Sequence, residues 1–209
     1  MRGEQTTHLY LVRHGRTDWN ALRRIQGRIE RDLDEEGKKE AQDAALLFSK
    51  EALSAIYSSG MRRAYDTAQI IATYHNFEVQ VIEELHEGSY GACEGMFVHE
   101  FEKKWEEALE KKKQLPLAER LQFKLADDME TDWEIVQRTL PHLHHICKKH
   151  LGEKVLIVSH GWVMRALILS LEQIKSAGCL IRNGGSMFLE GNGEFLRVID
   201  YKNALVQHS

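Results

Sequence analysis

Two short apolar runs, Leu9-Tyr10-Leu11-Val12 and Val155-Leu156-Ile157-Val158, each lead into a His-Gly pair. The first passes into Arg13-His14-Gly15-Arg16-Thr17 and the second into Ser159-His160-Gly161. Unbroken runs of this length suit central strands covered on both faces, and open α/β sheets hold their ligands at the carboxyl ends of such strands. A third segment, Ala55-Ile56-Tyr57-Ser58, runs through Ser59-Gly60 into a helix that starts at Arg62-Arg63. Glu87 follows a fourth, Val79-Gln80-Val81-Ile82. Two histidines, two or three arginines and one carboxylate can therefore converge from four strand ends. Guanidinium forks match phosphoryl oxygens in charge and geometry. A neutral imidazole can attack phosphorus, and a carboxylic acid can protonate the departing oxygen. None of these steps needs a metal, and no cofactor is expected.

Each of these residues also has a structural reading. The histidines could hydrogen-bond the backbone at strand ends. Arg62, next to Arg63, suits an exposed helix face. Glu94 competes with Glu87 as the carboxylate, and Asn20 and Gln26 could be turn or cap residues. His142, His144, His145 and His150 resemble a metal cluster, but no carboxylate or cysteine is placed to complete one, so a solvated helix is expected. The stripe Phe97, Phe101, Trp105 suits packing, since no basic groove accompanies it to stack nucleic-acid bases.

The elements that must position these groups alternate between strand and helix. Helical spacing appears at Ala41, Ala44, Ala45 and Phe48 behind a candidate Asp34 cap, and again at Met61, Ala64, Tyr65, Ala68 and Ala72. A capping box, Thr131-Asp132-Trp133-Glu134, opens a helix expected to bury Trp133, Val136, Leu140, Leu143 and Cys147 and to kink at Pro141. Ser186 to Glu190 and Phe195 to Tyr201 read as a hairpin across Gly191-Asn192-Gly193. From about residue 97 to 128 the chain is dense in Lys and Glu, with Phe97, Phe101, Trp105 and Leu109 at four-residue steps marking a helix, and the segment reads as a helical insertion beside the sheet. The fold class expected is a three-layer α/β/α sandwich with a mixed, mostly parallel sheet, one domain over residues 1–209.

With 43% hydrophobic residues in 209, the chain can build a core without staples. Its 28 Lys and Arg against 32 Asp and Glu argue against a nucleic-acid partner held by a broad basic surface. Three dispersed cysteines, Cys93, Cys147 and Cys179, fit reduced thiols in a cytoplasmic protein. No apolar leader or membrane-length stretch is visible, so no membrane partner is expected. A homodimer is compatible with this reading, although nothing in the sequence specifies one.

Leu11 to Asn20 (LVRHGRTDWN) resembles the LVRHGxTxWN signature of the histidine phosphatase superfamily, the phosphoglycerate mutase-like fold. Four more blocks follow in order: Arg23 to Gly27 (RRIQG) is similar to RxxQG, Arg63 to Ala68 (RAYDTA) to RAxxTA, Leu85 to Gly95 (LHEGSYGACEG) to LxExxxGxxEG, and Ser159 to Arg165 (SHGWVMR) to SHGxxxR. The resemblance implies that His14 is a nucleophile that becomes phosphohistidine, and that Glu87 is acid and then base. It gives Arg13, Arg63 and His160 the phosphoryl group to hold, and Asn20, Gln26 and Gly27 a place in the substrate pocket. Arg16 stands where relatives often have Glu, Glu30 and Asp32 replace a common Asp and Pro, and Gly60 replaces a polar residue. The chain is short for a cofactor-dependent mutase and lacks the Tyr/Pro-rich segment that holds bisphosphoglycerate there. The expectation is a metal-independent phosphomonoester hydrolase acting on a small phosphorylated metabolite, with a phosphoglycerate mutase-type transferase as the alternative and a phosphate-binding module as a third reading.

Overall fold

Successive strand residues point to opposite faces of a sheet, and β1 (Thr7–Arg13) is buried on both sides. Leu9 and Leu11 join one core, and Val12 joins the other with Tyr10 packed against it. β2 (Leu53–Ser58), β3 (Val79–Val81) and β4 (Lys154–Ser159) lie parallel to β1. β5 (Cys179–Gly191) pairs antiparallel with β1, and β6 (Leu196–Val206) antiparallel with β5. In this computed structural model, which describes residues 5–172 and 179–206, the six strands form one sheet in the order β3-β2-β4-β1-β5-β6. The hairpin predicted from Ser186 is present but longer than its alternation suggested.

A single helical turn, α1 (Asp18–Ala21), follows β1 and is closed by a capping box between Thr17 and Asn20. α2 (Glu35–Phe48) starts where expected, with Asp34 accepting from the Gly37 N–H at 2.7 Å. With α3 (Arg62–Ala72) it covers the face that carries Ile56, Leu156 and Val158.

The next three helices, α4 (Val98–Lys104), α5 (Glu106–Gln114) and α6 (Leu117–Gln122), occupy the Lys- and Glu-rich segment. The four-residue stripe predicted one helix there. Instead the backbone at Trp105 leaves the helical region, ending α4 and starting α5, and Leu115, ahead of Pro116, is extended as prolines require of the preceding residue. Phe101 from this segment packs with Ile25, Cys93 and Met129 in a small separate core.

The opposite face of the sheet is covered by α7 (Asp132–Lys149) and α8 (Gly161–Glu172). The predicted capping box at Thr131 and Glu134 is formed, but the predicted buried face of α7 needs correction. Trp133 is 40% exposed, and the stripe that packs is Ile135, Val136, Thr139, Leu143, Ile146 and Cys147. That set recurs at three- and four-residue steps, whereas Trp133 falls a position to one side of it. The helix also continues through Pro141.

Candidate active site

Parallel pairing of Arg13 with Ser159 sets the two His-Gly ends side by side. The His14 N–H donates to the Ser159 carbonyl at 3.0 Å, and the rings of His14 and His160 stand 5.2 Å apart between centroids, both buried. The β2–β4 pairing delivers Ser59 to the same edge, where its N–H donates to the Val158 carbonyl.

His14 has a defined tautomer. Its Nδ1 lies 2.7 Å from the Gly15 carbonyl oxygen, which can only accept, so Nδ1 carries the proton and Nε2 the lone pair. That lone pair receives the Arg63 Nε–H at 3.3 Å. Burial, reinforced by the charges of Arg63 and Arg13, holds the His14 pKa well below the usual histidine range, so the ring is neutral at pH 7. Gly15 is fixed by its N–H to Thr67 Oγ1 at 3.0 Å. A Cβ on Gly15 would stand 2.2 Å from the Gly37 carbonyl oxygen, so only glycine allows the loop this close to α2.

Arg63 is fully buried on the sheet side of α3. Its Nη2 donates to the Gly27 carbonyl at 2.8 Å and its Nη1 to that of Ile29 at 3.0 Å. Gly27 makes this possible with φ +50°, and a Cβ there would sit 2.1 Å from Glu94 Oε1. Arg13 donates through Nη1 to the Ile181 carbonyl at 2.6 Å. Burial lowers both guanidinium pKa values from the ordinary arginine range.

His160 Nε2 is 2.6 Å from Ser59 Oγ. Burial, then Arg63 and the neighbouring His14, keep its pKa well below the usual histidine range. Its Nδ1 is buried without a hydrogen-bond partner among the described residues, as are Arg13 Nε and Gln26 Oε1. Buried polar atoms are rarely left unpaired, and two of these three belong to groups that adjoin His14, consistent with an edge built for a polar ligand.

Glu87 accepts at Oε2 from the Trp162 N–H, at the start of α8, and at Oε1 from the Gly88 N–H. Its loop is pinned by Ser159 Oγ to the Leu85 carbonyl and by the Ser89 N–H to Glu130. The charge of Glu87 is felt by both Arg13 and Arg63. Glu94, the competing carboxylate, is occupied elsewhere: its Oε1 accepts from the N–H groups of Arg28 and Tyr90. Arg62 points outward into an exposed ion pair with Asp32.

Asn20 spends its Oδ1 on the Thr17 N–H and hydroxyl and on the Asn183 Nδ2. Among the described residues no three His, Cys, Asp or Glu side chains cluster as metal ligands do. His142 instead faces Glu84, and His150 lies between Tyr57 and Glu153. Three site neighbours escaped the sequence reading. Ser59 could have been suspected from its position just past β2. Thr67 lies inside a recognised block but carries no chemical signal of its own. Asn183, which donates to the His14 carbonyl at 3.0 Å, sits in a Gly-rich stretch that reads only as a loop.

The family model of the histidine phosphatase superfamily (branch 1) matches residues 9–187. A metal-independent phosphoserine phosphatase of Arabidopsis thaliana is 40% identical over 185 residues, spanning 85% of this chain and 74% of that protein. Phosphoserine phosphatase 1 of Hydrogenobacter thermophilus is 34% identical over 163 residues, 78% of this chain and 75% of its own length. Among solved structures, Bacillus stearothermophilus YhfR superposes with a TM-score of 0.81 at 29% identity, covering 97% of this chain and 98% of the other. The family model spans most of the chain, which belongs to the histidine phosphatase superfamily, branch 1.

Proposed function

We propose that the protein is a phosphomonoester hydrolase that works through a phosphohistidine at His14 and acts on a small phosphorylated metabolite of the phosphoserine class. The observation that carries this reading is the fixed tautomer of His14, with Nδ1–H spent on the Gly15 carbonyl and the Nε2 lone pair facing a buried guanidinium. The substrate class rests on likeness to the two phosphoserine phosphatases.

In the first step Nε2 forms a bond to phosphorus as the bond from phosphorus to the ester oxygen breaks. The Glu87 carboxyl gives its proton to that oxygen, and the alcohol leaves. In the second step Glu87 takes a proton from water, the water oxygen bonds to phosphorus, the N–P bond breaks, and orthophosphate and neutral His14 return. Arg13, Arg63 and His160 supply the positive and polarised N–H groups for the equatorial oxygens, the main lever for a reaction whose transition state is a spread of negative charge. The incoming phosphoryl group takes over the Arg63 donor that now rests on Nε2. Asn20, through its amide nitrogen, and Gln26 complete the polar wall, and Gly27 acts through the carbonyl that anchors Arg63.

A panel of phosphorylated metabolites including phosphoserine, 3-phosphoglycerate and sugar phosphates tests the reading, with brief quenching to trap the phosphoenzyme. Release of orthophosphate with an acid-labile, base-stable phosphoenzyme is the expected result. Transfer to a second hydroxyl without orthophosphate release would make the protein a mutase, and phosphate binding without turnover would make it a binding module.

A further inference from the structure

A cavity of about 150 Å³ lies between the insertion helices and the start of α7 and α8. None of the five residues proposed for phosphoryl transfer lines it. Tyr90 and Trp162, with ring centroids 4.4 Å apart, line it, and Phe101, Leu125, Met129 and Leu169 are among its other apolar lining residues. Four cations, Lys112, Lys113, Arg120 and Arg165, and two acids, Glu130 and Asp132, complete the lining.

Both acids are already committed. Asp132 Oδ1 accepts from Trp162 Nε1 at 2.6 Å and from Arg165 Nη2 at 3.2 Å, and its Oδ2 from Lys112 Nζ at 2.7 Å. Glu130 accepts from Arg138, Arg28 and the Ser89 N–H. Arg165, by contrast, keeps a buried Nε–H that has no hydrogen-bond partner among the described residues. The lining therefore combines apolar walls with one guanidinium N–H, that of Arg165 Nε, that no described residue accepts.

We infer that this cavity is a second ligand site, separate from the phosphoryl pocket, that takes a small monocarboxylate with an aromatic or branched aliphatic body. An apolar cavity of roughly this volume accommodates a benzene-sized body, and the one buried Nε–H of Arg165 that lacks an acceptor is satisfied best by a charged one such as a carboxylate. Occupancy reaches the reaction through Trp162, whose ring lines the cavity and whose backbone N–H holds Glu87.

The test is calorimetric titration of the full chain with benzoate and with benzamide, each with and without saturating orthovanadate in the phosphoryl pocket. Benzoate should bind at least tenfold more tightly than benzamide and should lose less than tenfold in affinity with vanadate present. Leu169→Trp, which fills the cavity, should abolish both. Arg165→Met should bind benzamide as the wild type does while losing the preference for benzoate, and retained benzamide binding shows that this variant is folded. A tenfold or greater loss of benzoate affinity with vanadate would place the ligand in the phosphoryl pocket and overturn the inference. Equal affinities for the two probes in the wild type, or an intact benzoate preference in Arg165→Met, would overturn it as well. Because the readout is binding, it stands apart from the choice of substrate.

Discussion

The phosphoryl edge and the insertion hold their charged groups in opposite ways. At the edge, Arg13, Arg63 and His14 are anchored to the carbonyls of Ile181, Gly27, Ile29 and Gly15. Backbone oxygens at strand and loop ends are placed by the sheet itself, so these donors have few alternative positions. In the insertion, whose helices run six to nine residues, charges pair side chain to side chain, as in Lys113 with Glu110 on α5 and Lys124, just past α6, with Glu134 on α7. Such pairs are screened by water and contribute little rigidity. The contrast teaches that, in the proposed mechanism, the group common to all phosphomonoesters meets the rigid part of the molecule, while the insertion rests on weaker supports.

The sharpest way to break this comparison is at its rigid end. His14→Ala should reduce turnover by about 10⁴-fold or more and abolish the trapped phosphoenzyme, since no other described side chain offers an unprotonated nitrogen aligned by a carbonyl. Quenching with labelled substrate checks this. A phosphoenzyme that persists in His14→Ala would move the nucleophile elsewhere.

Glu87→Gln comes next. An aryl phosphate leaves without help, but an alkyl phosphate needs the proton, so the substitution should slow alkyl turnover by about 10²–10⁴-fold and aryl phosphorylation of the enzyme far less. Glu94→Gln should instead behave as a structural variant, because Glu94 ties Arg28 to Tyr90. Its effect should be equal for both esters. Comparing kcat/KM for the two esters in both variants decides between the carboxylates, and an alkyl-specific loss at Glu94 would reverse the assignment.

Gly27→Ala probes the anchor rather than the donor. A side chain in the left-handed region costs about 1–2 kcal/mol, and this one must also push the Glu94 carboxylate away. The Gly27 carbonyl then shifts under Arg63, and kcat/KM should fall about tenfold or more with a lower Tm. Unchanged kinetics would mean that Arg63 does not depend on its backbone anchors.

How much of this was legible beforehand follows the same division. Strand-end residues declared themselves through local spacing: an apolar run followed by Arg-His-Gly needs no tertiary knowledge, and Arg13, His14 and His160 lie together for that reason. Gln26 and Gly27 were visible as a block, but a carbonyl anchor at Gly27 could not be read from residue type. The insertion was legible as helical by its Phe97, Phe101, Trp105 and Leu109 steps. Its break at Trp105 was not, because periodicity is blind to a single residue leaving the helical region. Trp133 misled through its size, and the true face of α7 includes Thr139, which binds the Glu84 carbonyl through its hydroxyl.

The buried histidines give a pH dependence with a definite sign. His14 and His160 both sit well below the usual range, and His86 is lowered as well by burial. Below the ordinary histidine value of about 6.5 the unfolded chain takes up protons that the folded chain refuses, so stability is complete above that value and falls as the pH drops beneath it. Tm should therefore decline between pH 7.5 and 5, before most carboxylates titrate, and bound orthovanadate should lessen the decline by favouring the charged imidazoles. A Tm that is flat or rising over that interval would contradict neutral, buried histidines.

The smallest effect is the most exacting comparison, because it sets two adjacent residues of one type against each other. Arg62 and Arg63 differ by about 100° around α3, and the register decides everything else. Arg63 is fully buried against carbonyls, whereas the Arg62 side chain is 65% exposed and pairs with an equally exposed Asp32 at 3.0 Å. An exposed pair of this kind is screened by water and contributes little to stability, so its loss should lower Tm only slightly. Arg62→Ala should therefore leave kcat/KM within about twofold of the wild type, and the small loss in Tm should shrink in high salt, where the pair is screened. Arg63→Ala should cost orders of magnitude in kcat/KM with no such salt relief. If the two variants were equally damaged, the helix register at the start of α3 would be wrong, and with it the anchoring of Arg63 by Gly27 and Ile29.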